Sequence, residues 1–145
     1  MTDVNVMVVF YSRYGETERL ALAAGLGAVQ AHANLRLRRV KDLADAETIL
    51  RNPRWSESLE RMIADYIAPR EIDADWADVI LLVSCPDSPA ETEQYVTALG
   101  AHSANRGKLQ VVSAAEDPAE RLGSALAQGK QAVEATRQRR LGANA

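Results

Sequence analysis

The residues best suited to bind a ligand are the six at positions 12–17: Ser12, Arg13, Tyr14, Gly15, Glu16 and Thr17. An apolar stretch precedes this first loop and an alanine- and leucine-rich stretch follows, so the order predicts strand, tight turn and helix. The first N–H groups of a helix lack an intrahelical partner and carry the positive end of its dipole. Gly15 lets the backbone close around an anion. We therefore predict a phosphate site, to which Ser12 and Thr17 add hydroxyl groups and Arg13 a cation.

The stretch that resembles a known family spans residues 6–21 and reads VMVVFYSRYGETERLA. With the strand predicted after it, this stretch resembles the start of a flavodoxin-like domain. Within that superfamily it is most similar to the quinone-reductase branch associated with the Trp-repressor-binding-protein name. There the S-x-Y-G-x-T turn holds the phosphate of FMN, so the resemblance implies FMN as cofactor and residues 12–17 as its phosphate loop. It further implies electron transfer between NAD(P)H and a quinone or a protein acceptor.

A second loop, residues 84–90, follows the third predicted strand and corresponds to the family's T-P-T-R-x-G loop. It keeps the proline but lacks the arginine, the glycine and the aromatic residue that would face the isoalloxazine ring. In a doubly wound sheet the loops after the first and third strands meet at the switch point. We therefore assign five further residues to the cofactor site: Ser84, Cys85, Pro86, Asp87 and Ser88.

Strand and helix patterns alternate along all 145 residues, which predicts a single domain over residues 1–145. Strands are predicted at four stretches, namely 4–11, 35–40, 79–83 and 108–113, and helices at 17–33, 91–99 and 118–140, with a further helix capped by Ser56 and ended by Pro69. This alternation favours a three-layer, doubly wound parallel α/β sheet of flavodoxin-like order 2-1-3-4.

The end of the predicted sheet is unusual because no apolar stretch follows the fourth strand to form a fifth. The fourth strand therefore has an open edge. An open edge exposes unpaired backbone groups that another chain can bind. We expect a homodimer.

Composition excludes several classes of function. The net charge of −3 indicates no nucleic-acid surface, and the single cysteine indicates no disulfide framework. The N-terminus lacks a signal-peptide pattern, and the longest apolar run is too short for a bilayer, so we expect a cytoplasmic protein without membrane contact. His32 and His102 stand apart from other ligand-type residues, so no metal site is predicted.

Two classes of function remain open on sequence grounds. The first is an FMN-dependent NAD(P)H:quinone oxidoreductase acting on a small-molecule redox substrate. The second is a flavodoxin-fold domain that has lost flavin binding and serves as a phospho-ligand-binding or protein-interaction module. No catalytic residue is identified, although Cys85 at the mouth of the site and a ring-stacking role for Tyr14 are considered.

Overall fold

Four parallel strands in the order β2-β1-β3-β4 form the sheet, which confirms the predicted fold class. The computed structural model describes residues 3–101 and 103–143, so His102 lies outside the described residues. The strands are β1 (Asn5–Phe10), β2 (Asn34–Arg39), β3 (Val79–Val83) and β4 (Leu109–Val111). The helices are α1 (Glu16–Gln30), α2 (Ala46–Leu50), α3 (Pro53–Asp65), α4 (Glu71–Trp76), α5 (Ala90–Leu99), α6 (Ser103–Arg106) and α7 (Arg121–Ala143), and a 3₁₀ turn at Pro118–Glu120 precedes α7.

Strands β1 and β3 form the centre of the sheet, and both are buried. Alternate side chains of β1 enter two separate cores. Val6 and Val8 pack with alanines of α1 and α7, while Met7 and Val9 pack with residues of α4 and α5. Since successive side chains of a strand point to opposite faces, a strand covered on both sides reads as continuously apolar. The three predicted layers follow from this pattern.

The α1 and α7 helices pack closely because glycines stand at their contact. A Cβ atom added at Gly27 would lie 1.9 Å from the carbonyl oxygen of Leu126, and one added at Gly129 would lie 2.0 Å from that of Ala24. Apolar spacing predicts a buried stripe of Leu20, Ala24, Leu26 or Gly27, and Val29 on α1, and of Leu122, Leu126, Ala132 and Val133 on α7. The prediction is wrong for Val29 and Leu122, which are exposed, and of the two alternatives Gly27 is buried and Leu26 exposed. The buried face of α1 includes five small residues: Ala21, Ala24, Gly25, Gly27 and Ala28.

The stretch between β2 and β3 departs most from the sequence prediction. Helix α2 ends before Asn52, and Pro53 begins α3, whose N-cap Asn52 accepts a hydrogen bond from the Trp55 N–H through its side chain. The predicted cap at Ser56 is therefore wrong. Helix α4 was not predicted, since six residues are too few to show a helical period.

The outer edge of β4 is short. In the described residues no strand pairs with that edge, as the sequence predicted. Just past β4, the Gln128 side chain of α7 accepts from the Ser113 N–H and donates to the Ser113 carbonyl, at 2.9 and 2.7 Å. These two bonds pair the backbone where the strand ends.

Among the described residues, no helix is both long and apolar enough to cross a membrane.

Candidate functional site

The first loop turns tightly between β1 and α1. The Ser12 hydroxyl accepts a hydrogen bond from the Gly15 N–H at 3.0 Å, which closes the turn. Gly15 has φ +99°, a left-handed conformation that a side chain would strain. Because the turn ends there, α1 begins at Glu16 and its first N–H groups lie beside the loop.

Polar donors in this loop are left without partners. The N–H groups of Glu16, Thr17 and Glu18 find no acceptor in the described part of the chain, as expected of a first helical turn. Thr17 is only 4% exposed, yet its hydroxyl also forms no hydrogen bond with described residues. These donors form a cradle that an anion would complete.

The cradle opens into a cleft of about 350 Å³ at the carboxyl ends of the strands. Thr17 lines the cleft from the first loop, Pro86 from the second loop and Ala114 from the segment after β4. The first residues of α1 and of α7 both border it, and Arg19 and Arg121 bring two guanidinium groups against the single carboxylate of Glu16. Helix N-termini and arginines both favour a negatively charged ligand. We call this space the phosphate cleft.

Arg13 is directed away from the phosphate cleft. Its Nε donates to the Tyr11 hydroxyl and its Nη2 to the Ser88 hydroxyl, both at 3.1 Å. Its guanidinium carbon lies 4.1 Å from the centre of the Trp55 ring, which is a cation–π contact. Arg13 therefore joins the first loop to the second, and the structure does not place it as a second cation for the ligand.

Tyr14 also has internal partners. Its hydroxyl accepts a hydrogen bond from the Asn52 side chain at 3.0 Å, and the Arg54 guanidinium covers its ring at 4.3 Å. Arg54 also lies 3.6 Å from the exposed carboxylate of Glu16. A ligand ring could stack on Tyr14 only after Arg54 had moved.

The second loop is closed by bonds within the protein. Ser84 shares a hydrogen bond with Thr92 at 2.9 Å, and Ser88 donates to the buried carboxylate of Glu91 at 2.6 Å. Cys85 is a buried free thiol that packs in the core. Only Pro86 reaches the phosphate cleft, while Asp87 points to solvent. Most of the predicted contacts of this loop are thus with the protein itself.

A buried carboxylate, Asp42, organises this internal network and was not found from sequence. It accepts hydrogen bonds from Tyr11 at 2.5 Å, from Trp55 at 3.1 Å and from Arg39 at 3.0 Å. Burial raises the pKa of Tyr11, and the bond to Asp42 raises it further, so the phenol remains a proton donor. Arg39 is three residues from Asp42, but Tyr11 and Trp55 are 31 and 13 residues away, so no local pattern indicates the complete network.

No metal site is found among the described residues, since no group of three or more His, Cys, Asp and Glu side chains converges there. His32 follows α1 in a left-handed conformation and stands apart from the phosphate cleft.

No protein-family model and no curated protein matches the sequence. Solved structures do resemble it. The diflavin flavoprotein A3 of Nostoc sp. has a TM-score of 0.47 and 12% identity, covering 98% of this chain and 99% of that one. A YwlE mutant of Bacillus subtilis has a TM-score of 0.42 and 10% identity, covering 95% and 99%. Similarity this low carries nothing about a ligand or an activity.

Proposed function

We propose that this chain is a flavodoxin-like domain that binds the phosphate group of a small-molecule ligand in the phosphate cleft. The observation that carries the proposal is Thr17, a residue only 4% exposed whose hydroxyl forms no hydrogen bond with other described residues and which lines the phosphate cleft beside the N–H groups at the start of α1. A phosphate monoester would supply acceptors to all of them. Arg19 and Arg121 would balance its charge from the rim of the cleft.

FMN is the specific ligand that the family resemblance implies, and the described residues fit one end of it. The cradle fits its phosphate. The isoalloxazine ring finds no aromatic side chain in the lining of the phosphate cleft, and the serines of the second loop are bonded to residues of α5. Flavin binding, and with it quinone reduction, is therefore a proposal that depends on this ring being held without aromatic stacking. Bound flavin would supply the redox chemistry.

The proposal is tested by titrating the protein with FMN, with riboflavin and with ribose 5-phosphate, using calorimetry for all three and flavin fluorescence for the first two. We expect the two phosphates to bind and riboflavin to bind at least about tenfold more weakly, since a charge-assisted contact contributes about 1.5–3 kcal/mol. Thr17→Val should weaken both phosphates by a similar factor. Thr97→Val, which changes an exposed threonine of α5, is the control and should leave binding unchanged.

Each other outcome has a definite meaning. Binding of ribose 5-phosphate without FMN would support a phospho-ligand module and exclude the flavoprotein. Equal binding of FMN and riboflavin would show that the phosphate is not recognised. Absence of binding by both phosphates at millimolar concentration would overturn the proposed function altogether.

A further inference from the structure

The largest cleft of the described structure lies elsewhere, outside β2, and has a volume of about 750 Å³. We call it the outer cleft. Its walls come from the segment after β2, from α2, from α3 and from the segment that follows α3. Most of its lining is apolar: Ala44, Ala46, Ile49, Leu59, Met62, Ile63, Ile67 and Ala68. This size and character are typical of small-molecule sites.

The outer cleft leaves apolar side chains open to solvent. Ile63 is 65% exposed and Ile67 is 53% exposed, although both border the cleft. An aliphatic side chain that is left partly exposed forgoes part of the free energy that its complete burial would contribute. An apolar ligand that covered them would recover part of it.

The polar residues of the outer cleft carry an excess of positive charge. Three cations, Arg39, Lys41 and Arg70, line it together with the carboxylate of Asp42. Arg39 is bonded to Asp42 and Arg70 to Asp73, each at 3.0 Å, so Lys41 supplies the excess positive charge. The Asp42 carboxylate also accepts from Tyr11 and Trp55. The cations therefore suit an anionic group on the ligand.

Arg39 gives an independent reason to expect an acceptor here. It is 5% exposed, and its terminal nitrogens donate to Asp42 and to the Ser12 carbonyl oxygen. Its Nε–H is buried and has no hydrogen-bond partner among the described residues. A buried donor without an acceptor destabilises the folded protein. A carboxylate oxygen in the outer cleft could supply the missing acceptor after a shift of the Arg39 side chain, since Nε is closed to solvent in this structure.

We propose that the outer cleft binds an amphipathic carboxylate of the fatty-acid type. The aliphatic chain lies against α3 and Ile49, and the carboxylate lies at the end formed by Arg39, Lys41 and Arg70. This site is separate from the phosphate cleft and shares no lining residue with it.

The experiment measures binding of decanoate and of the uncharged decanol to the whole protein, by calorimetry and by chemical-shift perturbation. Decanoate should bind, and decanol should bind about tenfold more weakly because it lacks the charge. Ile63→Glu and Lys41→Glu should each weaken decanoate binding severalfold. Their controls are Leu141→Glu, at a side chain that is 66% exposed on α7, and Lys130→Glu, also on α7; both should leave decanoate binding unchanged.

Three results would overturn the proposal. The first is no decanoate binding, and the second is equal binding of decanoate and decanol, which would show that the cations do not recognise the ligand. The third is decanoate binding that survives Ile63→Glu, which would place the ligand elsewhere. Thr17→Val should leave decanoate binding unchanged, so failure of this proposal and failure of the phosphate proposal are distinguishable.

Discussion

At the scale of single residues, two side chains of the first loop have different surroundings. Thr17 and Arg13 belong to the same short loop and both were expected to bind an anion. Thr17 lines the phosphate cleft without a partner, while Arg13 is held by Tyr11, Ser88 and Trp55. The donors that the first loop leaves for the proposed anion are therefore mainly hydroxyl and N–H groups.

Asp73 is the residue for which a pH effect is best defined. It is fully buried and accepts hydrogen bonds from Arg36, Arg38 and Arg70. Burial alone would raise the pKa of Asp73, but the bonds from Arg70 and Arg38 outweigh it and hold the pKa well below the ordinary value. A depressed folded-state pKa stabilises the protein above the unfolded pKa of about 4 and ceases to do so as pH falls through the folded pKa.

We predict that Asp73→Asn lowers the free energy of unfolding at neutral pH by about 2–3 kcal/mol, since charge-assisted hydrogen bonds are lost. The difference from the parent protein should shrink as pH falls below about 4, because the parent then loses the same stabilisation. Urea unfolding across this pH range measures both effects. Asp65→Asn is the control, since its carboxylate is exposed and forms only a weak surface ion pair with Arg61, at 3.8 Å. If Asp65→Asn lowered the free energy of unfolding as much as Asp73→Asn, the stabilising role of Asp73 would be contradicted.

At the scale of the elements, the tightest constraint is the contact between α1 and α7. Glycine is unfavourable inside a helix, yet Gly27 and Gly129 stand where two helix backbones nearly touch. The close approach lets α7 cover the sheet beside α1 and brings the first turns of both helices to the phosphate cleft. A wider separation would open the cleft.

We predict that Gly129→Ala destabilises the protein by about 1–3 kcal/mol, because the added Cβ would force the helices apart. Gly123→Ala, in the same helix with nothing within 4 Å of the added Cβ, should instead stabilise it by about 0.5–1 kcal/mol. Thermal and urea unfolding of both variants provide the measurement. If both substitutions stabilised the protein, helix propensity rather than the contact with α1 would govern position 129.

The same contact shows the limit of sequence-based prediction. The existence and order of the strands and of the long helices followed from periodicity, which is a local property. The face that α1 buries did not, since Leu26 and Val29 are exposed while small residues are inside. A prediction from apolar spacing places the largest side chains toward the core. Where a partner helix packs so closely that only glycine or alanine fits, the small residues face the core instead.

At the scale of the whole molecule, β4 has an outer edge that no described strand covers. Val111 is 63% exposed on this edge, and Gln128 pairs the backbone only at Ser113, beyond the strand. We propose that two copies associate through this edge, as expected for a sheet that ends without a covering strand.

Light scattering at micromolar to millimolar concentration should therefore show a concentration-dependent dimer. Val111→Lys places a charge on the edge and should shift the equilibrium to monomer. Val29→Lys, at an exposed position of α1, serves as control and should leave it unchanged. A monomer at all concentrations, or a dimer insensitive to Val111→Lys, would rule out association through β4.

The sequence by itself determined the parallel α/β fold, the strand order and the turn of the first loop, because the patterns that indicate them lie in residues close together in the chain. Only the tertiary structure decided which of those loop residues line the phosphate cleft. Arg13 meets Ser88 and Trp55, and Ser12 meets Arg39, across long separations in sequence. Such pairings depend on the packing of whole elements, so the phosphate cleft and the outer cleft could be recognised only once the chain was folded.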